Sequence, residues 1–97
     1  MGEPGLQQIV EALLFSSDEP LTLSKLHALV PEHKPSEIRA AVESLREELG
    51  RSGRCFAVEE IAEGYQLLTR PEYGTWIVRL KRAKAEGKLS AAALETR

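Results

Sequence analysis

The first fifty residues carry apolar side chains at the 3.6-residue spacing of amphipathic helices. This spacing predicts a first helix from Leu6 to about Ser16, followed by turn-forming residues at 16–20. A second, short helix follows Thr22, a suitable N-cap, and Pro31 ends it. A third helix starts at Pro35, with Gly50 as its expected C-terminal cap. The pattern therefore predicts three short helices in close succession.

The period of the pattern changes to two after residue 54. Residues Cys55–Ile61 and Tyr65–Thr69 alternate as two strands would. The residues between them, Ala62 to Gly64, predict a three-residue loop in which Gly64 takes the left-handed conformation. This segment is therefore predicted to be a β-hairpin.

A fourth helix is predicted after the hairpin. Thr69 and Glu72 have the spacing of a capping box, with Thr69 as the N-cap. Beyond it, Ile77 and Leu80 are expected in the core. Gly87 ends this pattern, and a further helix is predicted over residues 91–94.

This order of elements is typical of one architecture. It is an α+β, mostly helical fold of the winged helix-turn-helix type, in which helices 2 and 3 form the pair and the hairpin is the wing. The length of 97 residues fits one small domain. We expect the winged-helix domain to span residues 1–83.

Charge is distributed unevenly along the chain. The net charge of −2 combines −5 over residues 1–70 with +3 over residues 71–97. A basic segment accounts for the positive part: Arg79, Lys81, Arg82, Lys84 and Lys88. It is either a solvated helix end, where cations are favoured, or a patch for nucleic acid.

The third helix and the wing argue against a DNA reader. The first turns of the helix offer two carboxylates, Glu37 and Glu43, against a single arginine, Arg39, and the wing is acidic at Glu59, Glu60 and Glu63. These groups would meet phosphates with like charge. We therefore favour a winged helix that binds proteins, with a winged-helix DNA-binding transcriptional regulator as the alternative.

Four aromatic residues are candidates for a partner or dimer interface: Phe56, Tyr65, Tyr73 and Trp76. Aromatic side chains are common at binding hot spots, but they also fill small cores. The pattern leaves both possibilities open for each of the four.

The sequence offers little for catalysis, a metal or another cofactor. The single cysteine, Cys55, has neither His27 nor His33 at a motif spacing and is expected to be a small buried residue. The chain has no apolar run of membrane-spanning length and no secretory signal pattern, which favours the cytoplasm. We expect no enzyme, no cofactor and no membrane contact.

Three blocks of sequence resemble a known family. They are residues 9–15 with Glu19-Pro20-Leu21, residues 63–73 and residues 89–96. In this order and spacing they are similar to bacterial segregation and condensation protein B. The third block resembles the start of that family's second winged-helix domain, so residues 84–97 are expected to be a linker and the start of that domain.

The resemblance implies a role in chromosome segregation and condensation. A member of this family is a non-enzymatic, nucleoid-associated accessory subunit of the condensin-like SMC complex. It forms a homodimer, largely through its N-terminal domain, and binds the kleisin that bridges the SMC ATPase heads. Direct DNA contact is then expected to be weak or absent.

Overall fold

The fold is described for residues 4–88 from a computed structural model of the chain. It has four α-helices, three strands and one 3₁₀ turn, which confirms the predicted mixed and mostly helical class. In chain order the elements are α1 (Leu6–Ser16), β1 (Leu21–Thr22), α2 (Leu23–Leu29), α3 (Pro35–Ser52), β2 (Phe56–Ile61), β3 (Gly64–Thr69), the 3₁₀ turn (Pro71–Tyr73) and α4 (Gly74–Ala85).

The first three helices begin where the sequence predicts. Thr22 caps α2, because its hydroxyl oxygen accepts a hydrogen bond from the Lys25 N–H at 3.1 Å. At the start of α3 the Glu37 carboxylate accepts one from the Lys34 N–H at 2.7 Å. The predicted end of α3 is wrong. Gly50 lies inside the helix, and Gly53 takes the left-handed cap conformation at a φ of 72°.

The core is built on one face of α3. Ile38, Val42 and Leu45 on this face are almost completely buried, and they pack against buried residues of α1 and α2. The hairpin closes the core from the other side. The buried hydrophobic set is Val10, Leu14, Leu26, Val30, Ile38, Ala41, Val42, Leu45, Leu49, Val58 and Tyr65.

The sheet contains a strand that the sequence did not predict. The strand order of the sheet is β1-β3-β2, and neighbouring strands are antiparallel. The two-residue strand β1 lies beside β3, so that Leu21 is opposite Tyr65 and Thr22 is opposite Gly64. A strand of two residues is too short to show an alternating pattern. Only its contact with β3 in the folded chain defines it.

The wing turns through Ala62 and Glu63, not through Gly64. Both residues have positive φ, 51° and 65°, which is the backbone of a tight two-residue hairpin loop. The predicted three-residue loop with a left-handed Gly64 is therefore wrong. Gly64 belongs to β3, where a Cβ would lie 3.0 Å from the Pro20 Cβ and 3.1 Å from the Leu21 carbonyl carbon. The glycine is needed for the close approach of β1.

The predicted capping box of the fourth helix is also wrong. Thr69 ends β3, where it pairs with Phe56, while the 3₁₀ turn begins at Pro71 with Arg70 at its N-cap position, and Tyr73 takes that position for α4. The Arg70 N–H donates to the Cys55 carbonyl at 2.8 Å. The Arg70 guanidinium donates to the Leu49 and Arg54 carbonyls at 2.8 and 2.7 Å. These bonds fix the chain to the end of α3. Helix α4 therefore starts only after the 3₁₀ turn, at Gly74, and it ends at Ala85.

We predict that Gly64→Ala lowers the free energy of unfolding by about 1–3 kcal/mol, because the added methyl group overpacks the contact with β1. Gly50→Ala is the matched control. Its Cβ meets nothing within 4 Å inside α3, so it should stabilise the chain by about 0.5–1 kcal/mol. Urea unfolding followed by circular dichroism measures both. Equal effects of the two substitutions would contradict the close approach.

Candidate interaction surface

Helix α4 contributes no buried residue to the domain. Trp76 is 61% exposed and Leu80 is 41% exposed, while Ile77 is half-buried. The expectation that Leu80 belongs to the core is therefore wrong. The reason is the path of the chain, since the 3₁₀ turn leads α4 away from the body.

The exposed apolar residues of α4 and the turn before it form one stripe. Tyr73, Trp76, Ile77 and Leu80 follow the i, i+3, i+4, i+7 spacing, so they lie on one side of the helix. We call these four residues the α4 stripe. Val78 is also exposed but lies about 200° around the helix from Trp76. Trp76 is the most exposed residue of the stripe, Tyr73 and Leu80 are partly exposed, and Ile77 is half-buried.

Basic side chains surround the α4 stripe. All five residues of the predicted basic segment are exposed: Arg79, Lys81, Arg82, Lys84 and Lys88. Arg82 and Lys84 lie in the last turn of α4, where the helix dipole favours a positive charge, and Lys88 pairs with Glu86 at 3.4 Å. The cations are spread around α4 and do not form one basic face.

A second apolar surface lies between the end of α1 and the sheet. It is a groove of about 250 Å³ that is open to solvent. We call it the α1–sheet groove. Its lining includes Leu14, Phe15, Phe56, Leu67, Leu68 and Thr69.

Phe15 is not among the predicted interface residues, although its side chain is the most exposed of the large apolar residues in 4–88, at 78%. The available signal was its position on α1. Phe15 directly follows the buried Leu14, so it points about 100° away from the core-facing side of the helix. A large aromatic residue outside the buried stripe indicates a surface that a partner can cover.

The four aromatic candidates occupy three different places. Tyr65 is only 4% exposed and belongs to the core, so it has almost no surface to offer a partner. Phe56 is half-buried and lines the α1–sheet groove, while Tyr73 and Trp76 lie on the α4 stripe. The structure does not bring the four together within one chain.

The face that a DNA reader would use is acidic in the folded domain. Glu43 and Glu47 on α3 and Glu59, Glu60 and Glu63 on the wing are all exposed. Arg46 lies 3.2 Å from the Glu43 carboxylate and 4.0 Å from that of Glu60, so its charge is already partnered. This face therefore presents net negative charge.

The remaining chemistry is sparse in the described part of the chain. Residues 4–88 contain no group of three histidine, cysteine or acidic side chains placed to hold a metal. Cys55 is exposed, so the expectation of a small buried residue is wrong. The Arg54 and Cys55 carbonyls accept hydrogen bonds from Arg70, while the Cys55 side chain faces solvent. No helix within these residues is long and apolar enough to cross a membrane.

Comparison with known proteins decides the family. The family model described as segregation and condensation complex subunit ScpB matches residues 8–97. The chain belongs to the ScpB family. A relative from Syntrophotalea carbinolica, segregation and condensation protein B, is 43% identical over 90 residues, which cover 93% of this chain and 45% of the relative. The chain thus spans about half the length of the curated ScpB relatives that it matches.

Solved structures of ScpB confirm the winged-helix class. ScpB from Mycobacterium tuberculosis superposes with a TM-score of 0.76 at 28% identity, over 98% of this chain and 61% of the other. A second structure is a dimer of the ScpB N-terminal domain complexed with a ScpA peptide. It has a TM-score of 0.69 and 33% identity, over 76% of this chain and 91% of that one.

We predict that this ScpB-family chain does not bind duplex DNA with a dissociation constant below about 100 µM, even at low salt, because α3 and the wing repel phosphates. Fluorescence anisotropy with a labelled duplex at low ionic strength measures this. A variant carrying Glu43→Lys and Glu60→Lys is the control and should bind more tightly. Tight binding of the unmodified chain with a steep salt dependence would contradict the prediction and favour the DNA-binding regulator.

Proposed function

We propose that the chain is a self-associating winged-helix unit of a non-enzymatic accessory subunit in a bacterial SMC–kleisin complex. It acts in chromosome segregation and condensation by holding a kleisin. The observation that carries this proposal is the uncovered α4 stripe on a fold whose relative was solved as a dimer with a ScpA peptide.

Self-association is supported by the physical state of α4. A helix of 12 residues is marginally stable in water without tertiary contacts. Here none of its side chains is fully buried against its own domain, and Ile77 is only half-buried. Trp76, an aromatic residue of the kind that dominates binding hot spots, is the most exposed member of the α4 stripe. Packing against a second copy would bury the stripe and stabilise the helix.

Kleisin binding is supported by the relative with the ScpA peptide. That domain is 33% identical to this chain, and the match covers 91% of its length. We propose that the kleisin lies between this subunit and the SMC ATPase heads, and that the complex acts on the nucleoid in the cytoplasm. The acidic face of α3 and the wing fits such a role, because it is unsuited to direct DNA contact.

The chain should sediment as a species of twice its 10.7 kDa mass at high micromolar concentration. Trp76→Ala and Tyr73→Ala should each raise the dimer dissociation constant by about tenfold, because each removes apolar area from the α4 stripe. Val78→Ala, on the opposite side of α4, is the matched control and should leave the constant within about twofold. Sedimentation equilibrium measures all four proteins. A strict monomer would refute self-association.

Among overlapping fluorescein-labelled peptides that span the kleisin of the same organism, at least one should bind saturably. We expect a dissociation constant below about 10 µM, since accessory subunits hold their partners through specific apolar and polar contacts. Fluorescence anisotropy measures the binding, and a scrambled peptide of equal composition is the control. Failure of every peptide to bind at 100 µM would refute kleisin binding by this part of the protein.

A further inference from the structure

We propose that the α1–sheet groove of one chain receives the α4 stripe of a second copy, and that the exchange is reciprocal. The inference rests on the self-association proposed above and names the surfaces that meet. It assigns the groove an occupant and α4 a binding site.

The two surfaces are alike in chemistry, and both are unfilled in one chain. The groove is walled by aliphatic and aromatic side chains and is open to solvent, with Phe15 as its most exposed member. The α4 stripe presents Trp76, which is 61% exposed, and Leu80, which is 41% exposed. A cavity of about 250 Å³ is large enough for one bulky side chain, so an indole ring from the stripe fits it.

The path of the chain places α4 at the groove without letting it fold back. Leu68 and Thr69 line the groove, and α4 starts only a few residues later, at Gly74. Between them Arg70 is fixed to the end of α3, and the 3₁₀ turn leads the helix outward. Helix α4 therefore leaves from the rim of its own groove and points away from the body.

A two-fold axis satisfies both surfaces at once. In a symmetric dimer the same surfaces of both chains take part in the interface. When α4 of one chain fills the groove of the second, α4 of the second chain therefore fills the groove of the first. Helix α4 is about 18 Å long at 1.5 Å per residue, which is enough to lie across the end of a neighbouring domain. A second copy therefore uses each surface once and leaves neither exposed.

Charge complementarity favours a second copy over an unrelated apolar partner. Helix α1 contains no lysine or arginine, and Glu11 lies one turn before Phe15. Asp18 and Glu19 follow the end of α1, where the helix dipole is also negative. The α4 stripe is surrounded by the cations of the basic segment. An acidic rim and a basic-flanked stripe attract each other across the dimer.

The test uses two single variants and their mixture. Phe15→Lys changes the groove and Trp76→Glu changes the α4 stripe. Both side chains are exposed, so neither substitution empties the core. Each homodimer then carries two damaged contacts, and we expect each dissociation constant to rise at least about thirtyfold. In an equimolar mixture, each mixed dimer keeps one intact contact and one Lys–Glu pair. It should form at least about tenfold more tightly than either homodimer.

Two matched controls separate this effect from a general change in surface charge. Leu29→Lys changes a 55% exposed apolar residue of α2 that does not line the groove, and Val78→Glu changes a 53% exposed residue on the other side of α4. Both should leave the dissociation constant within about twofold. Circular dichroism of every variant shows whether the domain remains folded.

A second measurement needs no change to α4. Trp76 is the only tryptophan of the chain, so its emission reports directly on the α4 stripe. In the unmodified chain the emission should shift to the blue as concentration rises and the indole leaves water. Phe15→Lys should abolish the shift, whereas Leu29→Lys should retain it.

The outcomes separate this inference from the proposed function. A monomer with water-exposed Trp76 at all concentrations overturns both. A dimer that Phe15→Lys does not weaken, or whose damaged variants are not restored by mixing, overturns the groove assignment and leaves self-association standing. Loss of kleisin-peptide binding in Phe15→Lys, with an unchanged dimer, also overturns it and assigns the groove to the kleisin.

Discussion

The buried face of α3 is the constraint on which the rest of this domain depends. Ile38, Val42 and Leu45 are excluded from water and give α1, α2 and the hairpin one common surface to pack on. A chain of this size supports only one such core. Once these elements surround α3, the core offers no further face to α4. The single buried face of α3 therefore explains why α1, α2 and the hairpin pack together and why α4 stays largely exposed.

The contacts of Arg70 fix the point at which α4 leaves the body. Its guanidinium donates to the Leu49 carbonyl in the last turn of α3 and to the Arg54 carbonyl just after the helix, and its N–H extends the pairing of the sheet. The start of α4 is therefore held by the same helix that organises the core. An exposed helix on a loose linker would sample many directions, and burying it would cost conformational entropy. A fixed departure point lowers that cost, which suits α4 to a partner in a set position.

Separation of charge gives the domain its preference for partners. The body is acidic on α3, on the wing and at the end of α1, whereas α4 is basic. In a DNA reader the cations would lie on α3 and the wing, where the phosphates pass. Here those elements carry the opposite sign, and the cations surround an apolar stripe. The winged-helix shape is thus retained with an electrostatic surface that favours another protein, in keeping with a ScpB-family subunit.

The sequence by itself determined the periodic elements, because regular burial leaves a regular pattern. It located α1, the cap at Thr22, the start of α3 and the two strands of the wing. The tertiary structure alone decided the rest. Pairing with β2 kept Thr69 extended, and the approach of β1 explains Gly64. The tertiary structure also buries Tyr65 in the core and leaves Trp76 exposed to solvent. Both aromatic residues fit an apolar pattern, and only the direction in which the chain leaves Arg70 separates them.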